Sequence, residues 1–219
     1  MPKDTKFWSW VVFAIVVGAY LPLFRGGWQH PIEMNLAGFG LWTILSLMLT
    51  YSAMAQRHAG WSLPFGSLVG NVAMVVFGLF RGGYTFNIGM SETIVIYGIS
   101  ITLAVWATLG ALTKRWNPRI LFLGAVVADM VSYYPQLKQY VLPHEHPTGW
   151  ALMGWTMFGI SSFISLLFVE RLPQKCLMDH LGYALAYDEK KDYLKIAEQS
   201  AYSLENFFLI IVTVSLMSS

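Results

Sequence analysis

Asp129 is the residue whose type and position most invite chemistry. It falls near the middle of a long apolar run, six positions before Pro135, and no other charged side chain lies so deep in such a run. A carboxylate at the centre of a membrane-spanning helix costs roughly 2.5–3.5 kcal/mol on insertion scales, so it should face a cavity or a partner. There it could bind a polar solute or exchange a proton; its structural alternative is a protonated acid bonded to a neighbouring helix. Asn71, in another apolar run, offers an amide that both donates and accepts, which suits a neutral polar ligand. Its alternative is an interhelical hydrogen bond, on average about 0.6 kcal/mol.

Around these two stand aromatic groups. Tyr20, Tyr133 and Tyr134 could line a cavity mouth, and Trp42 and Trp155 could stack on a ring, although aromatic residues at span ends also serve as interfacial anchors. Pro135 and Gln136 sit side by side at the end of their apolar run. Proline removes a backbone donor and frees a carbonyl, and in a bilayer such backbone is tolerated only where protein or a wet cavity covers it. Pro22 holds the matching place in the first run, and with Pro135 and Gln136 it forms the expected pliable gate. The bland reading is a helix that simply stops.

Other motifs read as structural or absent. Leu23-Phe24-Arg25-Gly26-Gly27-Trp28 and Leu79-Phe80-Arg81-Gly82-Gly83-Tyr84 are near copies, each expected to cap a helix C-terminus. His144, Glu145 and His146 with His30 and Glu33 could form an exposed metal site, but they lack helical spacing and suit a solvated loop better. No phosphate loop, nucleophile elbow or zinc-protease helix occurs, so no enzyme, cofactor or metal is expected.

The elements that must position these residues follow from composition. Hydrophobic residues make up 56% of 219 and charged residues 12%, and mean hydropathy is +0.52. A soluble domain carries about 25% charged residues, so the chain belongs in a lipid bilayer. A net charge of +2 gives no reason to expect nucleic acid, and the single Cys176 excludes an intrachain disulfide. Apolar runs at 7–24, 33–54, 62–80, 91–112, 119–140, 149–169 and 203–218 each approach the roughly 20 residues that cross a hydrocarbon core. With seven spans, 11 of the 14 Lys and Arg residues fall on the face of the N-terminus. The positive-inside rule then places the N-terminus in the cytoplasm, most simply at the cell membrane. The polar segment 170–202 reads as surface helices around a solvated turn, or as a docking element for a cytoplasmic partner.

The chain also repeats. Shifted by 113, Tyr20 falls on Tyr133, Pro22 on Pro135 and Arg25 on Lys138. Shifted by 116, His30-Pro31 falls on His146-Pro147, Gly38 on Gly154, Ser46 on Ser162, and Phe39 and Trp42 on Trp155 and Phe158. The expected fold is all-α and membrane-integral, with seven helices as two parallel three-helix repeats joined by a connector. The first triplet spans 1–90, the connector 91–118, and the second triplet 119–219 with 170–202 as an insertion. Parallel repeats are a known transporter plan, with the site between the halves near the midplane.

Tyr134-Pro135-Gln136, the basic Lys138 and Thr148-Gly149-Trp150 opening the next run together resemble the PQ-loop superfamily of seven-helix membrane proteins, which includes the SWEET sugar facilitators and the cystinosin-type transporters. The resemblance implies two triple-helix bundles around a central cavity, motif prolines that flex during alternating access, and a ligand-binding role for Asn71, with Asn206 its loosely matched counterpart. The first repeat departs from the pattern, reading Tyr20-Leu21-Pro22-Leu23 without glutamine. Neither 34–54 nor 149–169 carries the prolines of the sugar facilitators, which also keep the N-terminus outside. The expected function is transport of a small polar solute, proton-coupled or not. The alternative is a non-transporting receptor or scaffold acting through 170–202. A homo-oligomer is compatible with either.

Overall fold

The computed structural model describes residues 3–31, 34–55, 59–132 and 149–169, together with Leu204, Ile210, Ile211, Thr213 and Val214. Among these residues every regular element is helical: α1 (Lys3–Gln29), α2 (Leu36–Ala55), α3 (Ser62–Arg81), α4 (Met90–Thr113), α5 (Pro118–Ser132) and α6 (Gly149–Ile164). One 3-10 turn, Ala59–Trp61, leads into α3, and α6 runs on as a π-helical turn, Ser165–Val169. Among the described residues five helices are long and apolar enough to cross a membrane: Thr5–Gln29, Leu36–Ala55, Ser62–Arg81, Met90–Thr113 and Leu152–Val169. Large apolar side chains such as Leu21, Leu79, Ile101 and Leu112 stand exposed around them, as expected of an integral membrane protein in contact with lipid. The described part of α5 has 15 residues, and of the expected span 203–218 only the five residues named above are described.

Two apolar cores hold the helices together. Val12, Val16 and Tyr20 of α1 pack with Leu63 and Met74 of α3 and Val169 beyond α6. Leu45, Met48 and Leu49 of α2 pack with Val95 and Ile99 of α4 and Leu121, Phe122 and Val126 of α5. Helix α1 lies against α3 and α6, and α2 lies against α3 and α5. In the first core Gly66 and Gly70 form a small-xxx-small stripe on α3, and Val16 and Tyr20, also one turn apart, seat on it. Missing side chains at such positions let two helix backbones approach and gain dispersion contact, which drives helix association in lipid. Gly154 does the same for α6, where an added Cβ would stand 3.2 Å from the Ala19 carbonyl oxygen of α1.

The two near-copy segments fold differently. At Arg81-Gly82-Gly83-Tyr84 the helix ends as expected: Gly82 N–H reaches the Gly78 carbonyl at 2.9 Å, and Gly82 and Gly83 turn the chain with φ of 68° and 80°. At Arg25-Gly26-Gly27-Trp28 the expected helix end does not occur. Helix α1 continues to Gln29, with His30 N–H bonded to the Gly26 carbonyl at 2.7 Å. Gly27 serves packing instead, because a Cβ there would collide with the Tyr84 hydroxyl. Pro22 lies within α1, which stays continuous through it.

Tyr84 is therefore a wedge between α1 and α3, with Gly78 on its other side. The connection that carries it is stitched to the α1–α2 connection. Leu36 N–H bonds the Thr85 carbonyl at 2.9 Å and Thr85 N–H bonds the Met34 carbonyl at 3.0 Å. Asn35 Nδ2 donates to the Asn87 carbonyl and to Glu92 Oε1, both at 2.8 Å. Glu92 in turn accepts from Gly89 N–H through Oε2 at 3.0 Å, satisfying a free donor at the start of α4 where negative charge is favoured. The Tyr84 hydroxyl is buried with no hydrogen-bond partner among the described residues, and burial pushes its phenol up from the ordinary value against the pull of the Arg81 cation. An unpaired buried hydroxyl costs about 1–3 kcal/mol. Tyr84→Phe, which keeps the ring, should thus raise the melting temperature in detergent by about 2–4 °C; a fall would mean that the hydroxyl has a partner.

Candidate functional site

The candidate site residues stand on α1, α2, α3 and α5, with Phe158 of α6 against one of them. Because an α-helix rises about 1.5 Å per residue, Asp129 stands about 16 Å along α5 from its start at Pro118, half of a hydrocarbon core of about 30 Å. Asn71 stands about 13 Å along α3 from Ser62. Tyr20 starts farther along α1, but long side chains on a helix lean back toward its N-terminus. All three are buried: Tyr20 is 4% exposed, Asn71 4% and Asp129 7%.

Tyr20 is the hub. Its hydroxyl donates to the Ser67 carbonyl oxygen of α3 at 3.2 Å, and its ring lies in the space left open by Gly70. On the other side the ring meets Phe158 of α6 edge-on, with centroids 5.5 Å apart. The Asp129 carboxyl of α5 is within electrostatic reach of the same tyrosine. Next to Gly70 in sequence, Asn71 points Nδ2 toward Ser46 Oγ of α2 at 3.4 Å, a long bond. Phenol, carboxyl, amide and hydroxyl groups from four helices are thus buried in the bundle, the amide beside the hydroxyl and the carboxyl in reach of the phenol. That donor and acceptor set can replace the hydration of a small polar solute, and the carboxyl can also hold a proton.

The residues expected from sequence divide three ways. Asn71 and Asp129 lie buried at the centre, and the Trp155 carbonyl accepts from Thr213 Oγ1 at 3.1 Å while its ring sits 6.4 Å from Phe158. Pro22 lies inside α1, one turn from Gly18, which faces Met157 of α6. Tyr133, Tyr134, Pro135 and Gln136 lie outside the described residues, as do Asn206, Glu33, His144, Glu145, His146 and the segment 170–202. Among the described residues no group of three His, Cys, Asp or Glu side chains could hold a metal ion.

Sequence reasoning missed the partners. Ser46 and the Ser67 carbonyl, which engage Asn71 and Tyr20, were not singled out as site groups. The signal was present in Gly66-xxx-Gly70, since a small-xxx-small stripe beside a polar residue marks where another helix must approach. Ser46 and Ser162, matched by the repeat, are both buried, at 4% and 0%. Comparisons with protein-family models, with curated proteins and with solved structures find no match for this chain.

Proposed function

We propose that the protein is a membrane transporter of a small polar solute that works by alternating access between two like-oriented helix triplets. What supports the reading is the burial of Asp129, Tyr20 and Asn71 inside an apolar helical bundle, with the Asp129 carboxyl in electrostatic reach of the Tyr20 phenol. A buried carboxylate in a membrane is costly and marks a solute or ion pathway by default.

The packing is consistent with the repeat. If α1 corresponds to α5 and α2 to α6, exchanging the halves turns the α1–α6 contact into the α5–α2 contact, and both contacts exist. Their registers agree as well. Trp8 of α1 stacks on Phe168 at 4.2 Å; the shifts of 113 and 116 carry this pair onto Leu121 and Ser52. Ser52 Oγ donates to the Pro118 carbonyl at 2.6 Å, one turn from Leu121. By the same shift Asp129 corresponds to Val16, so the carboxylate belongs to one half alone.

In this conformation the Tyr20 ring fills the space left open by Gly70, and the Tyr84 wedge and the Asn35–Thr85 stitch tie together the ends of α1, α2 and α3 on the face opposite the N-terminus. Asp129 acts as the solute or proton partner, Asn71 as a ligand amide, Trp155 as aromatic lining, and Pro22 with Pro135 and Gln136 as the gate. Purified protein in proteoliposomes, offered sugars, amino acids and vitamins with and without a pH gradient, should take up one chemical class saturably. Uptake of nothing in such a panel, with a bound partner lost on deletion of 178–195, would establish the receptor reading instead.

A further inference from the structure

The turn between α4 and α5 carries a second recognition surface, independent of the central site. It encloses a groove of about 490 Å³ lined by Leu109, Thr113, Arg115, Asn117 and Ile120, within the usual size range of small-molecule sites. The turn that shapes it is fixed. Thr113 Oγ1 donates to the Leu109 carbonyl at 2.6 Å and accepts from Arg115 N–H at 3.3 Å. Lys114 adopts the left-handed conformation at φ 52°, and Asn117 Oδ1 accepts from Arg119 N–H at 3.0 Å to start α5.

Two features say what the groove holds. The first is charge: Lys114, Arg115 and Arg119 fall within six residues, no acidic residue lies between Glu92 and Asp129, and α2, which packs on α5, has none. Among the described residues neither Lys114 nor Arg115 has a side-chain ion pair. The second is shape. From Leu109 an apolar stripe continues down the outer face of α4 through Val105 and Ile101, at four-residue steps, with 39%, 44% and 62% of these side chains exposed. It runs about 12 Å toward the membrane centre. Trp116, 56% exposed, packs against Trp106 with ring centroids 4.7 Å apart and planes tilted by 59°, in the manner of an interfacial anchor.

A basic polar end joined to a lipid-facing apolar stripe is complementary to one amphiphile. We propose that this groove binds an anionic phospholipid from the leaflet on the side of the N-terminus. Arg115, with Lys114 beside it, takes the phosphate, and an acyl chain lies along Leu109, Val105 and Ile101. Charge complementarity supplies the headgroup preference, and the stripe separates a lipid from a free phosphate, which would have no use for it.

Native mass spectrometry of the full chain in detergent tests this, with phosphatidylglycerol and phosphatidylcholine of identical acyl chains as probes. Phosphatidylglycerol should be retained preferentially. Arg115→Gln should reduce its retention about fivefold, and Arg115→Lys should keep most of it. Glycerol phosphate in excess should leave the bound lipid in place. The proposal fails if Arg115→Gln retains phosphatidylglycerol as wild type does, if phosphatidylcholine is retained equally, or if glycerol phosphate displaces the lipid. Arg115 is exposed on a turn, so its substitution leaves both cores intact.

Discussion

Asp129→Asn will lower solute uptake by the reconstituted chain at least about tenfold, which corresponds to about 1.4 kcal/mol of lost stabilisation, while leaving its melting temperature within a few degrees of wild type. Asparagine keeps the shape and hydrogen-bonding reach of a protonated aspartic acid but cannot exchange a proton. A carboxyl that only bonded a neighbouring helix would therefore be replaced at little cost to transport. The position makes the choice decisive: Asp129 is 7% exposed and lies well inside a long apolar run. Uptake preserved in the variant would remove the proton role and leave Asp129 as a packing residue.

The second large effect lies in the Tyr20–Gly70 contact, and it reverses sign with background. A Cβ on Gly70 would overlap the Tyr20 ring carbons Cγ, Cδ2 and Cε2. Overpacking of this kind costs about 1–3 kcal/mol, so Gly70→Ala alone should destabilise by that amount. Tyr20→Ala empties the space and should itself cost about 3–5 kcal/mol. In the Tyr20→Ala background no ring opposes the new methyl group, and alanine is the better helix former by about 1 kcal/mol. Gly70→Ala should then stabilise. Unfolding midpoints of the two single variants and the double variant close the cycle; purely additive changes would mean that the two residues do not touch.

Much of the helical frame was legible from composition, because long apolar runs with clustered charges have few alternatives in lipid. The run at 62–80 stops one residue short of the end of α3, and the run at 91–112 is one residue short of α4 at each end. The central residues Asn71 and Asp129 were legible for the same reason: a polar group is conspicuous in an apolar run. What could not be read was what each one touches. Asn71 meets Ser46, 25 positions away, and Tyr20 meets Ser67, 47 away, and such pairings depend on how helices are arranged side by side. The near-copy segments at Arg25 and Arg81 show the limit plainly. Two almost identical sequences end one helix and prolong the other, because the deciding contact, Tyr84 against Gly27, comes from a distant part of the chain.

The stitching on the face opposite the N-terminus has a mechanical consequence. Arg81 stacks over the Trp28 ring at 5.1 Å and donates to the Trp28 carbonyl at 3.3 Å, and Thr85 clasps Met34 beside it. The upper ends of α1, α2 and α3 and the head of α4 are thereby joined into one stiff plate. Such a plate tilts as a body rather than splitting along its own joints. If the protein transports as proposed, the sliding surfaces are the two seams where α1 meets α6 and α2 meets α5, with small residues such as Gly154 on α6 as bearings.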